Sequence, residues 1–276
     1  MPPFDRVAAS QLIPEKSQQP MNDLIINAIN SSLLSENNIS FDNIRQIASR
    51  DNDLWNQLGH GRAILDTPEE LDQYLYSYGH MTRAQWHTLL GELSLIPEPM
   101  EIIDYGCGQG LATALLFDYF GDDFKRSIRK VVLIEPSEVA LRRAQAIVSC
   151  YSANKFQIEA INKTLGNLDA EELLGNKGVL TSHIFSNVLD LDGYDHFELL
   201  EKIFQRKGRH CILAVSHDRN FEGGSSRFWD LEKVVCDPQF RDWFTVQQTR
   251  IWQFECGNRK PAIAWVLETE VIDGPF

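Results

Sequence analysis

The sequence of 276 residues has few of the features that mark membrane, secreted or zinc-binding proteins. Its apolar runs are all far shorter than the ~20 residues that a membrane-spanning helix requires. The first twenty residues contain no apolar segment typical of a secretory signal. The five cysteines never form a C-x-x-C pair, which gives no support for a zinc site. We therefore expect a cytoplasmic protein with reduced thiols, no metal and no membrane partner.

Basic residues are also scarce. The sequence has 26 lysines and arginines against 39 aspartates and glutamates, which gives a net charge of −13. A chain with this charge repels a polyanion at long range. The two basic clusters, at 125–130 and 206–209, precede the second and fifth strands of the sheet predicted below. They would lie at the edge opposite a ligand site, so a nucleic-acid partner is not expected.

The chain divides into three stretches. Residues 1–20 are polar and predict a flexible tail. Residues 21–98 show helical spacing, and within them Thr67, followed by proline and then Glu70, has the pattern of a capping box. We expect a helical N-terminal extension there, placed as a lid, before a ligand-binding domain at 99–276.

From residue 100 short apolar strands alternate with amphipathic helices, a pattern typical of a parallel sheet with helices on both faces. The last two strands are long and joined by "CGNR", which predicts an antiparallel hairpin. The sequence therefore predicts an α/β fold with a doubly wound, mostly parallel seven-stranded sheet. The predicted strands are 100–105, 130–135, 155–160, 178–185, 209–216, 243–255 and 260–271, and the helices between them begin near 109, 137, 169 and 193.

The first strand runs into "DYGCGQG", with glycines at 106, 108 and 110. Glycines in this loop let backbone N–H groups approach a ligand at the start of the next helix. The dinucleotide pattern G-x-G-x-x-G fails because Leu111 occupies its sixth position, and no phosphate loop is present. Asp104 would repel a pyrophosphate and attract an ammonium group. For the glycines alone, a turn without a ligand is the other interpretation.

Glu135 ends the second strand, where a carboxylate can accept both hydroxyls of a ribose. Together with the expected ammonium group at Asp104, this carboxylate describes a ligand with a ribose and an α-amino acid. S-adenosylmethionine has both. The residues themselves therefore favour S-adenosylmethionine as the cofactor.

The segments "IIDYGCGQG" and "VVLIEPS" resemble the first two motifs of class I S-adenosylmethionine-dependent methyltransferases. The closing hairpin resembles that of the same family, and the resemblance covers roughly residues 100–271. The resemblance implies a Rossmann-like methyltransferase fold and a set of cofactor contacts. These are Asp104, Gly106, Cys107, Gly108 and Gly110 at the amino-acid end, Glu135 at the ribose, Pro136 and Ser137 beside the adenine, Asn162 or Thr164 at its amino group, and Ser186 and Asn187 after the fourth strand.

The acceptor is less clearly marked. The segment "SNVLDL" after the fourth strand lacks the N/D-P-P-Y pattern of amino-methylating enzymes that act on adenine or cytosine. His217 ends the fifth strand and is a candidate general base, with Asn187 as a second catalytic candidate; a hydrogen-bonded, non-catalytic histidine is the alternative. We expect methyl transfer to an oxygen or nitrogen of a small molecule or protein side chain. An RNA methyltransferase and a catalytically silent, methyltransferase-like subunit stay open as alternatives.

Overall fold

The computed structural model describes residues 22–93, 98–173, 178–219, 224–240 and 242–272. The expected tail at 1–20 lies outside these ranges. The extension contains three α-helices, α1 (Leu24–Asn30), α2 (Phe41–Ile47) and α3 (Pro68–Gly91), with a 3-10 segment at Asn52–Gly61. The capping box before α3 is confirmed, since the Thr67 hydroxyl accepts the N–H of Glu70 and the Glu70 carboxylate accepts the N–H of Thr67.

The predicted seven-stranded sheet is confirmed. Its strands are β1 (Met100–Tyr105), β2 (Ile128–Ile134), β3 (Gln157–Ile161), β4 (Leu180–Ser186), β5 (Gly208–His217), β6 (Phe244–Cys256) and β7 (Lys260–Val271). They lie in the order β3-β2-β1-β4-β5-β7-β6. The first five are parallel, and β7 runs antiparallel to both of its neighbours. All parallel strands therefore point their carboxyl ends to one edge, where ligands bind in such sheets.

Within the described ranges, four α-helices connect the strands: α4 (Leu111–Ser127), α5 (Glu138–Ser152), α6 (His196–Phe204) and α7 (Ser226–Val235). The helix expected near residue 169 is wrong. The described part of that connection forms two short 3-10 segments, Leu165–Asn167 and Ala170–Leu173. Lys163 instead bridges the carboxylates of Asp169 and Glu172 across the turn.

The extension shares the core of the sheet. Ile25 of α1 and Leu89 of α3 belong to the same buried cluster as Ile102 of β1 and Leu133 of β2. A second cluster fills the opposite face, under α6 and α7. The helices before residue 98 are thus packed on one face of the sheet together with α4 and α5.

A buried arginine ties the extension to the loop after β1. Arg143 of α5 is fully buried, and its Nε donates to Asp23 at 2.9 Å. Its Nη1 donates to Asp72 at 2.7 Å and to Gln109 Oε1 at 3.1 Å, and its Nη2 donates to the carbonyl of Pro68 at 3.1 Å. One side chain therefore joins the starts of α1 and α3 to the glycine loop.

We predict that Arg143→Ala destabilises the protein by about 3–5 kcal/mol, because it leaves two buried carboxylates without their cation. The free energy of unfolding in urea measures this loss. Arg142→Ala is the matched control, since Arg142 is exposed on the same helix and should change stability little. Equal effects of the two substitutions would contradict the role of the buried network.

Candidate functional site

The glycine loop turns sharply from β1 to α4 and presents its middle glycine to open space. Gly106 and Gly108 have φ of +61° and +54°, which side-chain-bearing residues rarely adopt. A Cβ on Gly106 would lie 2.7 Å from Cγ1 of Val188, so this glycine is required by packing. A Cβ on Gly108 would meet nothing within 4 Å. The backbone at Gly108 is therefore open to a ligand.

The other two predicted residues of the loop are held by the protein. Cys107 donates its backbone N–H to Ile134 at 2.9 Å and is nearly buried, and burial raises the pKa of its thiol well above the usual value. A thiolate nucleophile is thus not available at Cys107. Gly110 caps the start of α4 and packs against the backbone of Ala144. A Cβ added to Gly110 would lie 3.2 Å from the Cα of Ala144.

Glu135 follows β2 and is fixed by two backbone groups. One carboxylate oxygen accepts the N–H of Gly108 at 3.0 Å and the other accepts the N–H of Ser137 at 3.0 Å. Burial raises the pKa of Glu135, and the two N–H groups oppose this shift. A carboxylate oxygen has two acceptor positions, so each oxygen of Glu135 retains one. The side chain therefore offers two oriented acceptors side by side.

Asp104, at the penultimate position of β1, is fully buried. Its Oδ2 accepts the hydroxyl of Thr113 at 2.6 Å, whereas among the described residues Oδ1 has no hydrogen-bond partner of good geometry. Burial raises the pKa of Asp104 to about 7, with a smaller contribution from the charge of Glu135, although the hydrogen bonds from Thr113 lower it. An orphaned buried oxygen of this kind fits a cationic group.

Ser137 and Asn162 brace the loop after β2. The hydroxyl of Ser137 donates to the carbonyl of Leu65 at 2.5 Å. The side-chain amide of Asn162 donates to the carbonyls of Glu135 and Pro136, both at 2.9 Å. Neither side chain lines the cavity described next, so their assignment as cofactor contacts stays a prediction, and the contacts present are structural.

Ser186 and Asn187 are held by the extension. Asn187 has a φ of +57°, and its amide exchanges two hydrogen bonds with the amide of Gln85, at 3.0 and 3.2 Å. The hydroxyl of Ser186 accepts the indole N–H of Trp86 at 2.9 Å. Sequence reasoning missed Gln85 and Trp86, and no local signal pairs them with residues about a hundred positions away.

These elements surround a cavity of about 380 Å³ at the carboxyl edge of β1, β2 and β4. This volume lies within the range of small-molecule sites. Residues of the extension form part of its wall, where the sequence predicted a lid. The lining includes 61–65, Leu71, Tyr74 and Thr82 from the extension; 106–109, Leu111, Ala112, Glu135, Pro136 and Ala140; and 164–166, 186–188 and 191–194.

His217 lies at the end of β5, in a smaller recess beside this cavity. Tyr74 and Asn187 line both spaces, whereas His217 lines only the recess. Burial lowers the pKa of His217, and the charge of Arg219 lowers it further. The imidazole is therefore neutral at neutral pH.

Within the described ranges, no group of three or more histidine, cysteine, aspartate or glutamate side chains is placed to hold a metal ion. None of the helices described has the length and apolar character needed to cross a membrane.

No family model and no curated protein matches the chain. Solved structures with a similar fold include an rRNA methylase from Streptococcus thermophilus (20% identity, covering 70% of this chain and 96% of that chain, TM-score 0.41). A SAM-dependent methyltransferase from Aquifex aeolicus has 16% identity, covers 71% of this chain and 95% of that chain, and gives a TM-score of 0.44. The SAM-bound magnesium protoporphyrin IX methyltransferase from Synechocystis has 14% identity, covers 82% of this chain and 99% of that chain, and gives a TM-score of 0.42. Identities and TM-scores this low decide neither activity nor acceptor, and the fold rests on the strand order above.

We predict that Asp104→Asn stabilises the ligand-free protein increasingly as pH rises. The wild-type carboxyl has a pKa of about 7 when folded and of ~3.9 when unfolded. Ionisation therefore favours the unfolded state, and stability is lost as pH rises between these values. From pH 5 to 8 the advantage of the variant should grow by about 2–3 kcal/mol. Urea unfolding at both pH values measures it, and an unchanged difference would contradict the raised pKa.

Proposed function

We propose that this chain is a class I S-adenosylmethionine-dependent methyltransferase that methylates an oxygen or nitrogen of a small molecule or protein side chain. The observation that carries the proposal is Glu135, whose two oxygens are fixed by Gly108 and Ser137 with one acceptor position left on each. This pair of acceptors suits two neighbouring ribose hydroxyls. A dinucleotide would bring its pyrophosphate to the same loop, where the buried carboxyl of Asp104 opposes it.

The residues of the cavity fit the remaining parts of this cofactor. Asp104 does not itself line the cavity, but it lies two residues before the lining segment 106–109, and its unpartnered Oδ1 would suit the ammonium of an α-amino acid bound at that loop. Pro136, Ala140 and Leu165 give an apolar wall for an adenine. When bound, the cofactor supplies a methyl group activated by a sulfonium.

The chain's own contribution is positioning and exclusion of water. Leu65, Leu71, Val188 and Leu191 give the cavity an apolar wall beside its polar residues, and a ligand packed on that wall would displace water from it. Methyl transfer from a sulfonium needs little covalent assistance, so an aligned and dry acceptor accounts for most of the rate. The hydrogen bonds from α3 to Ser186 and Asn187 would fix the end of β4, where the methyl acceptor would bind, relative to the cofactor.

An RNA acceptor is disfavoured by the surface as well as by the net charge. Lys125 and Arg126 form ion pairs with Asp122 and Asp123, and Lys130 pairs with Glu159. These pairs lie toward the amino ends of the parallel strands, at the edge opposite the cavity. Basic groups that are already paired and remote from the site offer little to a phosphate backbone.

We predict that calorimetry detects S-adenosylhomocysteine binding in the micromolar range and no binding of NAD. Glu135→Gln should weaken binding at least about tenfold, because an amide N–H replaces one acceptor and opposes a backbone N–H. Glu138→Gln, at an exposed position of α5, is the control and should bind normally. An affinity for NAD equal to that for S-adenosylhomocysteine would refute the cofactor assignment.

We also predict no salt-sensitive binding of single-stranded or duplex RNA near physiological ionic strength, because the net charge repels phosphates. Fluorescence anisotropy over a salt series measures this. Tight binding that weakens steeply with salt would instead support an RNA acceptor. Cofactor binding without transfer, together with a stably co-purifying protein, would support the catalytically silent alternative.

A further inference from the structure

Residues 59–65 of the extension form a strap across the carboxyl edge of the sheet. Near its start, Gly61 lines the recess together with His217, which ends β5. At its end, the carbonyl of Leu65 accepts the hydroxyl of Ser137, in the loop after β2, at 2.5 Å. Because β1 and β4 lie between β2 and β5 in the sheet, the strap passes over the ends of β1 and β4. Its residues 61–65 line the proposed cofactor cavity on the way.

Both ends of the strap are anchored. Leu58, immediately before it, is fully buried and belongs with Leu65 to one small apolar cluster. The recess at the start of the strap holds only about 10 Å³, and the carboxylate of Asp190 in its wall lies 3.5 Å from Nη1 of Arg219. A space of this size admits at most one water molecule. The strap therefore rests on packed protein at each end.

The middle of the strap is held more weakly. Arg62 and Ile64 line the cavity and are nevertheless exposed, Ile64 by 56%. The backbone N–H of Arg62 donates to the carbonyl of Gly59 at 3.2 Å, and that of Ala63 donates to the carbonyl of Leu58 at 3.4 Å. Both hydrogen bonds are long. Segments with little buried surface and weak hydrogen bonds open locally at low cost in free energy, so the strap can lift while its ends stay in place.

The backbone at the start of the strap has the character of a hinge. Gly59, His60 and Gly61 have φ of +52°, +57° and +85°, three left-handed residues in a row. Glycine passes between left-handed and right-handed conformations without steric cost, and histidine is strained in the left-handed one. Two glycines on either side of a strained residue allow the chain to change direction here.

A pair of opposite charges joins the strap to the loop after β4. Arg62 of the strap and Asp192 of that loop both line the cavity. Arg227 of α7 holds the loop, since its Nη2 pairs with Asp192 and its Nη1 donates to the carbonyl of Leu191 at 2.5 Å. The hydrogen bond and charge of Arg227, followed by the charge of Arg62, hold the pKa of Asp192 below its usual value. Asp192 is thus a fixed point to which Arg62 is attracted.

We propose that the strap is a gate for the cofactor, which opens at residues 59–61 and which Arg62 latches to Asp192 when it is closed. The gate rests on the proposed methyltransferase function and adds to it the step that controls entry of S-adenosylmethionine and release of S-adenosylhomocysteine. A closed strap also keeps water from the methyl group. Because exchange requires opening, a weaker closure speeds both entry and release, whereas the loss of a direct cofactor contact acts mostly on release.

Stopped-flow fluorescence with S-adenosylhomocysteine tests the gate. The indole of Trp55 lies 5.9 Å from the ring of His60 and reports movement of the strap. In the wild-type protein the observed rate constant should level off as the ligand concentration rises, because opening then limits entry.

Gly61→Ala should raise the rate constants of association and dissociation at least about fivefold, since a Cβ disfavours the left-handed backbone of the closed strap. The added Cβ would lie at an ordinary 3.7 Å from the ring of Tyr74, so the substitution strains the backbone without a clash. Gly121→Ala is the matched control. Gly121 has a φ of +72° in α4, no atom lies within 4 Å of its added Cβ, and neither rate constant should change.

Two substitutions test the latch without altering the backbone of the strap, and they serve also if Gly61→Ala does not fold. Arg62→Gln and Asp192→Asn should each raise both rate constants about two- to fivefold, the effect of one exposed ion pair. The double variant should add little to either one, because both remove the same interaction. A rate constant that rises linearly with ligand concentration, or strap variants that speed release alone, would overturn the gate while leaving cofactor binding intact. Failure of the wild-type protein to bind S-adenosylhomocysteine would overturn the methyltransferase function and the gate with it.

Discussion

The buried guanidinium of Arg143 sets the geometry on which the candidate site depends. It neutralises Asp23, which caps the start of α1, and Asp72, which lies in α3. It also donates a hydrogen bond to Gln109 inside the glycine loop. A fully buried ion network is stable only when each group is paired. The position of the extension is therefore coupled to the conformation of the loop that would carry the cofactor.

The coupling continues on the acceptor side. The amide pair of Gln85 and Asn187 and the bond from Trp86 to Ser186 fasten the same helix, α3, to the end of β4. One helix thus contacts both halves of the cavity: it is joined to the glycine loop by Arg143 and by the hydrogen bond from Gln109 to the carbonyl of Leu71, and it bonds the end of β4 directly. This arrangement explains why residues from the extension line the cavity and the recess at Asp190, so that the extension is part of the site.

The sequence predicted those features that local patterns determine. The capping box at Thr67, the seven strands and the glycine loop all follow from neighbouring residues, and they are found where expected. The helix expected near residue 169 is wrong, and two short 3-10 segments joined by the ion pairs of Lys163 with Asp169 and Glu172 take its place. The contacts of Arg143, Gln85 and Asp190 join residues far apart in sequence or depend on burial, so no local pattern could predict them. Glu135 was expected to bind a ribose, and the two backbone N–H groups that its carboxylate accepts could not be read from the sequence.

The central claim is that the extension and the sheet form one site, with the cofactor on Glu135 and the methyl acceptor beside Ser186 and Asn187. A crystal structure of the protein with S-adenosylhomocysteine tests it most directly. The account predicts ribose hydroxyls on the two oxygens of Glu135, the ammonium on the side of Asp104, and the sulfur directed toward Ser186 and Asn187 at the end of β4. A nucleoside bound outside this cavity, or a sulfur directed away from the end of β4, would contradict it.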